Sequence, residues 1–162
     1  ADVGFPEPSA EMPEGVLELY KEASAVFSVS KRASAALMRA AAEKLVYELT
    51  KGNLPPEAKL DGRIKFLSRS VSQDVFKALT IIRTVGNKVL HSKDEEVLAV
   101  TIFLNEDAEG IPGILANSLN ALVNEFIINR KLINEMYDRL PNSIRNNLDS
   151  YLKEDKEGDS RG

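Results

Sequence analysis

Arg83, Asn87 and His91 are the residues of this chain whose types and spacing could do chemistry together. They recur at i, i+4 and i+8, so on an α-helix each is displaced by about 40° from the last. An arginine offers a fixed cationic fork suited to phosphate. An asparagine amide can bond phosphate or a 2′-hydroxyl, or orient an imidazole. A histidine titrates near neutrality and can act as general base or acid. These are the groups that metal-independent RNA cleavage needs, a base for the 2′-hydroxyl and a cation for the phosphorane. A structural reading stands beside the chemical one. His91 precedes Ser92-Lys93-Asp94, a helix end where an imidazole often interacts with terminal carbonyls, and Arg83 could pair with a carboxylate such as Glu43.

Charge is distributed unevenly around these residues. The 162-residue chain carries a formal charge of −4, which argues against a life on duplex nucleic acid. Between Leu60 and Lys93, however, seven basic residues (Arg63, Lys65, Arg69, Lys77, Arg83, Lys88 and Lys93) face only Asp61 and Asp74. A locally basic third would help recruit an anionic ligand. With no cysteine and one histidine, disulfides, thiolate metal sites and cysteine nucleophiles are excluded, and neither a metal nor another cofactor is expected. Glu106, Asp107 and Glu109 lack the alternating spacing of a calcium loop.

The elements that must position the ridge read as helices throughout. Residues 1–12 are an extended, proline-bearing lead-in. Val16, Leu19, Tyr20, Ala23 and Phe27 form the stripe of a first helix opened by Pro13. Ser28 or Ser30 caps a second, slim and alanine-rich helix ending near Gly52, with Ala33, Ala36, Leu37, Ala40, Leu45 and Leu49 as its apolar positions. A short helix from about Asp61 to Ser68 presents Ile64 and Leu67. Ser72 caps a long helix reaching about His91, with Val75, Leu79, Ile82, Gly86 and Val89 inward. A further helix starts at Asp94. After the break at Gly110-Ile111-Pro112-Gly113, apolar spacing predicts one long helix or two nearly continuous ones up to Pro141. A last helix then carries Ile144, Leu148 and Leu152. Asn117, Asn120 and Asn124 read as a solvated face, and Phe66, Phe76 and Phe103 as core or groove.

The expected architecture is thus all-α, a bundle of five to seven helices in one domain over 13–152, with a polar tail over 153–162. No apolar run approaches the roughly 18 residues needed to span a bilayer. Ala1 to Pro6 has neither the basic region nor the apolar stretch of a signal peptide, so a cytoplasmic protein is the simplest expectation.

From about Met12 to Pro141 the chain resembles the bacterial family known as domain of unknown function 4145, grouped with the HEPN (higher eukaryotes and prokaryotes nucleotide-binding) superfamily. The resemblance rests on Leu19-Tyr20-Lys21-Glu22-Ala23 and on Arg32-Ala33-Ser34-Ala35-Ala36-Leu37-Met38-Arg39 continuing to Glu43. The short helix with Leu60, Ile64 and Leu67 follows, and then Ile82-Arg83 with Gly86-Asn87 and His91. It implies a HEPN-like bundle whose active members are metal-independent RNases that dimerise with their motifs facing each other, many of them in toxin, restriction or antiphage systems. Carried over by position, Arg83, Asn87 and His91 match the catalytic-motif helix, with Arg39, Glu43 and Lys88 as supporting or binding residues. Arg83 and His91 stand further apart than in the family's active motif, which favours a non-catalytic member. The partners implied are a second copy, RNA or a nucleotide, and a protein of a restriction or toxin–antitoxin system.

Overall fold

The computed structural model of the protein describes residues 5–86 and 110–159. Asn87, Lys88 and His91, and the helix expected from Asp94, lie outside the described residues. The described residues form six helical runs and contain no strand. They are α1 (Glu14–Val26), α2 (Lys31–Thr50), α3 (Leu60–Leu67) with a 3₁₀ turn at Ser68–Ser70, α4 (Gln73–Gly86), α5 (Ile111–Asp138) and α6 (Asn142–Asp159). Within α5, the segments Ile111–Val123 and Arg130–Asp138 are α-helical and Asn124–Asn129 is π-helical.

The chain divides into two compact units, 1–127 and 128–162. In the first, α2 is the central element and packs against α1, α3, α4 and α5. Its buried face is Ser34, Met38, Ala41, Ala42, Leu45, Val46 and Thr50, not the face through Ala33, Ala36 and Ala40, which are exposed. Alanines carry too little apolar area to orient a helix; Met38, Leu45 and Val46 decide the rotation. Small Ala41 and Ala42 let the neighbours approach closely. The core is completed by Val16, Tyr20 and Ala23 of α1, Ile64 and Leu67 of α3, Val75, Leu79, Ile82 and Val85 of α4, and Leu115, Leu119 and Leu122 of α5.

Capping follows the residue types. Ser30 Oγ accepts from Ala33 N at 3.1 Å and Ser72 Oγ from Val75 N at 3.4 Å, each satisfying a donor that the first helical turn would otherwise leave orphaned. The buried Ser34 hydroxyl donates to Ala23 O at the end of α1 (2.8 Å).

Two features hold the loops. Arg63 is buried at 4% exposure and pairs with no carboxylate among the described residues. Its Nε donates to Ala58 O (3.0 Å), Nη1 to Thr50 Oγ1 (2.8 Å) and Nη2 to Pro55 O (2.8 Å), while Tyr47 lies under the guanidinium at 4.8 Å. One planar fork thereby ties the proline-rich α2–α3 loop to the end of α2.

From Phe5 onward the lead-in is likewise bound rather than loose. Phe5 is buried edge-on against Tyr20 and Phe27, with centroids at 5.3 and 5.4 Å. Tyr20 Oη donates to Pro6 O at 2.5 Å. Asn120 accepts from Ser9 N (2.8 Å) and donates to Glu7 O (2.9 Å), and Asn124 bonds Ser9 Oγ (2.8 Å). Asn120 and Asn124, read from sequence as a solvated face, are instead the anchors of this strap, because amides can satisfy an extended backbone that has no strand partner.

In the second unit, the C-terminal part of α5 and α6 are joined through Pro141. Leu140 N donates to Tyr137 O (3.0 Å) and Tyr137 Oη to Arg145 O (3.5 Å). These helices are not among the pairs that pack along their lengths. By length and composition alone Ile111–Asp138 could cross a membrane, and 44% of its most apolar stretch is buried within the protein.

Candidate functional site

Of the six residues singled out from the sequence, three are described. Arg83 lies on the last described turn of α4, one step off the buried line Val75–Leu79–Ile82, and its side chain is 48% exposed. Its partner is not Glu43 but Asp61 of α3: Arg83 Nε stands 2.5 Å from Asp61 Oδ1. Arg39 is half-buried and Glu43 exposed on α2, and among the described residues neither pairs with Arg83.

Asp61 is the residue that sequence reasoning missed. It sits in the first turn of α3, where a carboxylate is favoured by the helix dipole, and its other oxygen is 3.5 Å from Lys65 Nζ one turn on. The i, i+4 spacing to Lys65 was legible; the link to Arg83 required α3 and α4 to pack. Asp61 Oδ1 is hidden from solvent and takes no aligned hydrogen bond, so ion-pair proximity to the guanidinium is what compensates its burial.

Between α3, the 3₁₀ turn and α4 lies a groove of about 210 Å³ lined by Ile64, Lys65, Ser68, Arg69, Phe76, Thr80 and Arg83. Its apolar surface includes Phe76, which is half exposed, and three cations line it. The hydroxyls of Ser68 and Thr80 donate back to Ile64 O (2.8 Å) and Phe76 O (2.9 Å), which leaves their oxygen lone pairs, not their protons, toward a ligand. Arg69 extends over the Phe66 ring at 5.8 Å. Two of the three cations, Lys65 and Arg83, already face Asp61, so the positive charge the lining offers an anion is chiefly that of Arg69. It contains no group that titrates near neutrality, so the described part of the groove supplies charge stabilisation and no general base. Among the described residues, no cluster of acidic or histidine side chains is arranged to hold a metal ion.

A second surface stands out in the second unit. Leu132, Ile133, Met136 and Leu140 on α5, and Ile144, Leu148, Tyr151 and Leu152 on α6, are between 37% and 68% exposed. Each set of four falls within an arc of about 100° on its helix. Amphipathic stripes of this kind are expected to face a partner; here both face solvent.

Neither a curated protein nor a solved structure matches the chain. The family described as Domain of unknown function (DUF4145) has a model that matches residues 21–139, from the middle of α1 to the end of α5. That span is well over half of the chain, and the protein belongs to this family.

Proposed function

We propose that the protein is a HEPN-like, non-catalytic dimerisation or partner-docking module of a bacterial defence or stress system, working in the cytoplasm. The observation that carries the docking role is the pair of unpartnered apolar stripes on α5 and α6. Eight large apolar side chains held in water by two well-formed helices mark an interaction surface. The Arg83–Asp61 pair supports the non-catalytic half of the reading: a guanidinium already neutralised by a carboxylate is poorly placed to stabilise a phosphorane. The wide spacing from Arg83 to His91 points the same way.

The cationic groove favours a second reading, a metal-independent RNase. In it His91 would accept the 2′-hydroxyl proton, Arg83 would stabilise phosphate charge and Asn87 would position the substrate. One experiment separates the two: incubation of the purified protein and its His91→Ala variant with single-stranded RNA in EDTA. No cleavage by either is expected. Cleavage by the parent that His91→Ala abolishes would overturn the non-catalytic reading.

A further inference from the structure

We infer that the surface of α1 and α5 beneath residues 5–12 is a peptide-recognition groove. Its external partner is an extended segment of a different protein that presents an aromatic residue followed by proline, and residues 5–12 are the intramolecular occupant that such a segment displaces. The grip on this strap is mostly on main chain. Tyr20 Oη donates to Pro6 O (2.5 Å), while the Asn120 amide donates to Glu7 O (2.9 Å) and accepts from Ser9 N (2.8 Å). One side-chain amide thus takes a carbonyl and the N–H two residues on, much as an added strand would be held. Such contacts fix an extended conformation without demanding a particular sequence. Selection falls to the two buried side chains, Phe5 between Tyr20 and Phe27, and Met12. Pro6 and Pro8 set the backbone in advance and bring no N–H that would need a partner.

The strap does not fill the groove. A cavity of about 380 Å³ remains beside it, lined on the strap side by Pro6, Glu7 and Pro8 and on the other chiefly by Lys21, Ser24 and Ser28. Glu7 and Lys21 both border this space yet form no ion pair, and among the described residues the side chains of Lys21, Ser24 and Ser28 have no hydrogen-bond partner. A tethered strap tolerates so loose a fit, because its effective concentration is on the order of millimolar. A free segment has no such advantage and must fill the space, which the polar wall suits to a longer polar side chain beside the proline. The strap of a second copy would leave the same space open, so the partner is a different protein.

The test is fluorescence anisotropy of a labelled peptide spanning residues 4–13, titrated with the whole chain. The parent is compared with Phe5→Ala/Ser9→Pro, which removes the aromatic anchor and the N–H that Asn120 accepts but leaves every groove residue in place. Helical circular dichroism checks that the variant is folded. It should bind the peptide at least about tenfold more tightly than the parent, whose own strap competes. Binding should weaken about tenfold when the peptide carries Phe5→Ala, and again when Asn120→Ala is added to the protein. Ser9→Pro alone should fall between parent and double variant, and it supplies the reading if the double variant does not fold. Equal binding to parent and strap-weakened chain, no binding to either, or a peptide indifferent to loss of its phenylalanine overturns the inference. So does a parental dimer, seen by sedimentation, that Phe5→Ala/Ser9→Pro abolishes, since the groove would then serve a second copy. The apolar stripes begin at Leu132, away from the groove residues, so these outcomes leave the docking reading and the RNA experiment to stand or fall separately.

Discussion

Arg83 Nε and Asp61 Oδ1 are 2.5 Å apart, joining the most chemically suggestive helix of the chain to a short helix that precedes it. The pair is partly exposed, at 48% and 38% for the two side chains, so water screens it. It therefore matters more for where the guanidinium points than for stability.

Asp61→Asn should cost less than about 1 kcal/mol, as expected for a partly exposed ion pair. Urea denaturation followed by circular dichroism measures this. A loss well above that value would mean that the hidden Oδ1 secures the α3–α4 packing itself.

Arg63→Met should be far more damaging. It removes the donors to Thr50, Pro55 and Ala58 and leaves those acceptors without their partner; a loss of about 2–4 kcal/mol is expected. Arg63→Lys should not restore it, because an ammonium cannot reproduce the planar fork. The same denaturation experiment reads both variants, and a lysine variant of parental stability would refute the geometric account.

Asn120→Ala should free the lead-in. Loss of its bonds to Ser9 N and Glu7 O leaves the Ser9–Asn124 bond, the Tyr20–Pro6 bond and the burial of Phe5 and Met12 to hold residues 5–12. A destabilisation of about 1–3 kcal/mol is expected, with new limited-proteolysis cleavage before Pro13. An unchanged digestion pattern would show that the strap is held without Asn120.

Alkaline pH should loosen the same region. Burial pushes the Tyr20 hydroxyl up from about 10 to about 12; the bond with Asn120 partly opposes this and the charge of Glu7 adds to it. The folded state thus favours the protonated phenol. Its contribution is complete below pH about 10 and is lost as pH rises toward about 12. Melting temperature should fall across that window, less steeply in Tyr20→Phe. Equal slopes for the two proteins would remove Tyr20 as the cause.

Helix positions and caps were legible because they are local. Ser30, Ser72 and the stripe Val75–Leu79–Ile82 report a periodicity that needs no knowledge of neighbours. The rotation of α2 was not legible, since alanines on three sides leave the apolar face ambiguous until Met38 and Val46 meet their partners. The roles of Asn120 and Arg63 were hidden for a related reason: a polar side chain in sequence does not reveal which backbone it will satisfy. Of the proposed ridge, Arg83 is placed, with a partner more than twenty positions away, while Asn87, Lys88 and His91 lie outside the described residues.

By itself the sequence determined the all-helical class, the absence of thiol chemistry and the basic character of the stretch around Arg83, because composition and short-range periodicity carry that information. Tertiary structure alone decided that Asp61 holds Arg83, that Arg63 is buried among carbonyls and that the stripes of α5 and α6 face solvent. Asp61 and Arg83 meet only when two helices pack. Arg63 is enclosed only when the loop before its own helix folds back over it, and the stripes stay open only because α5 and α6 do not pack along their lengths. Such meetings are selected by the packing of the whole core and are not encoded in any single helix.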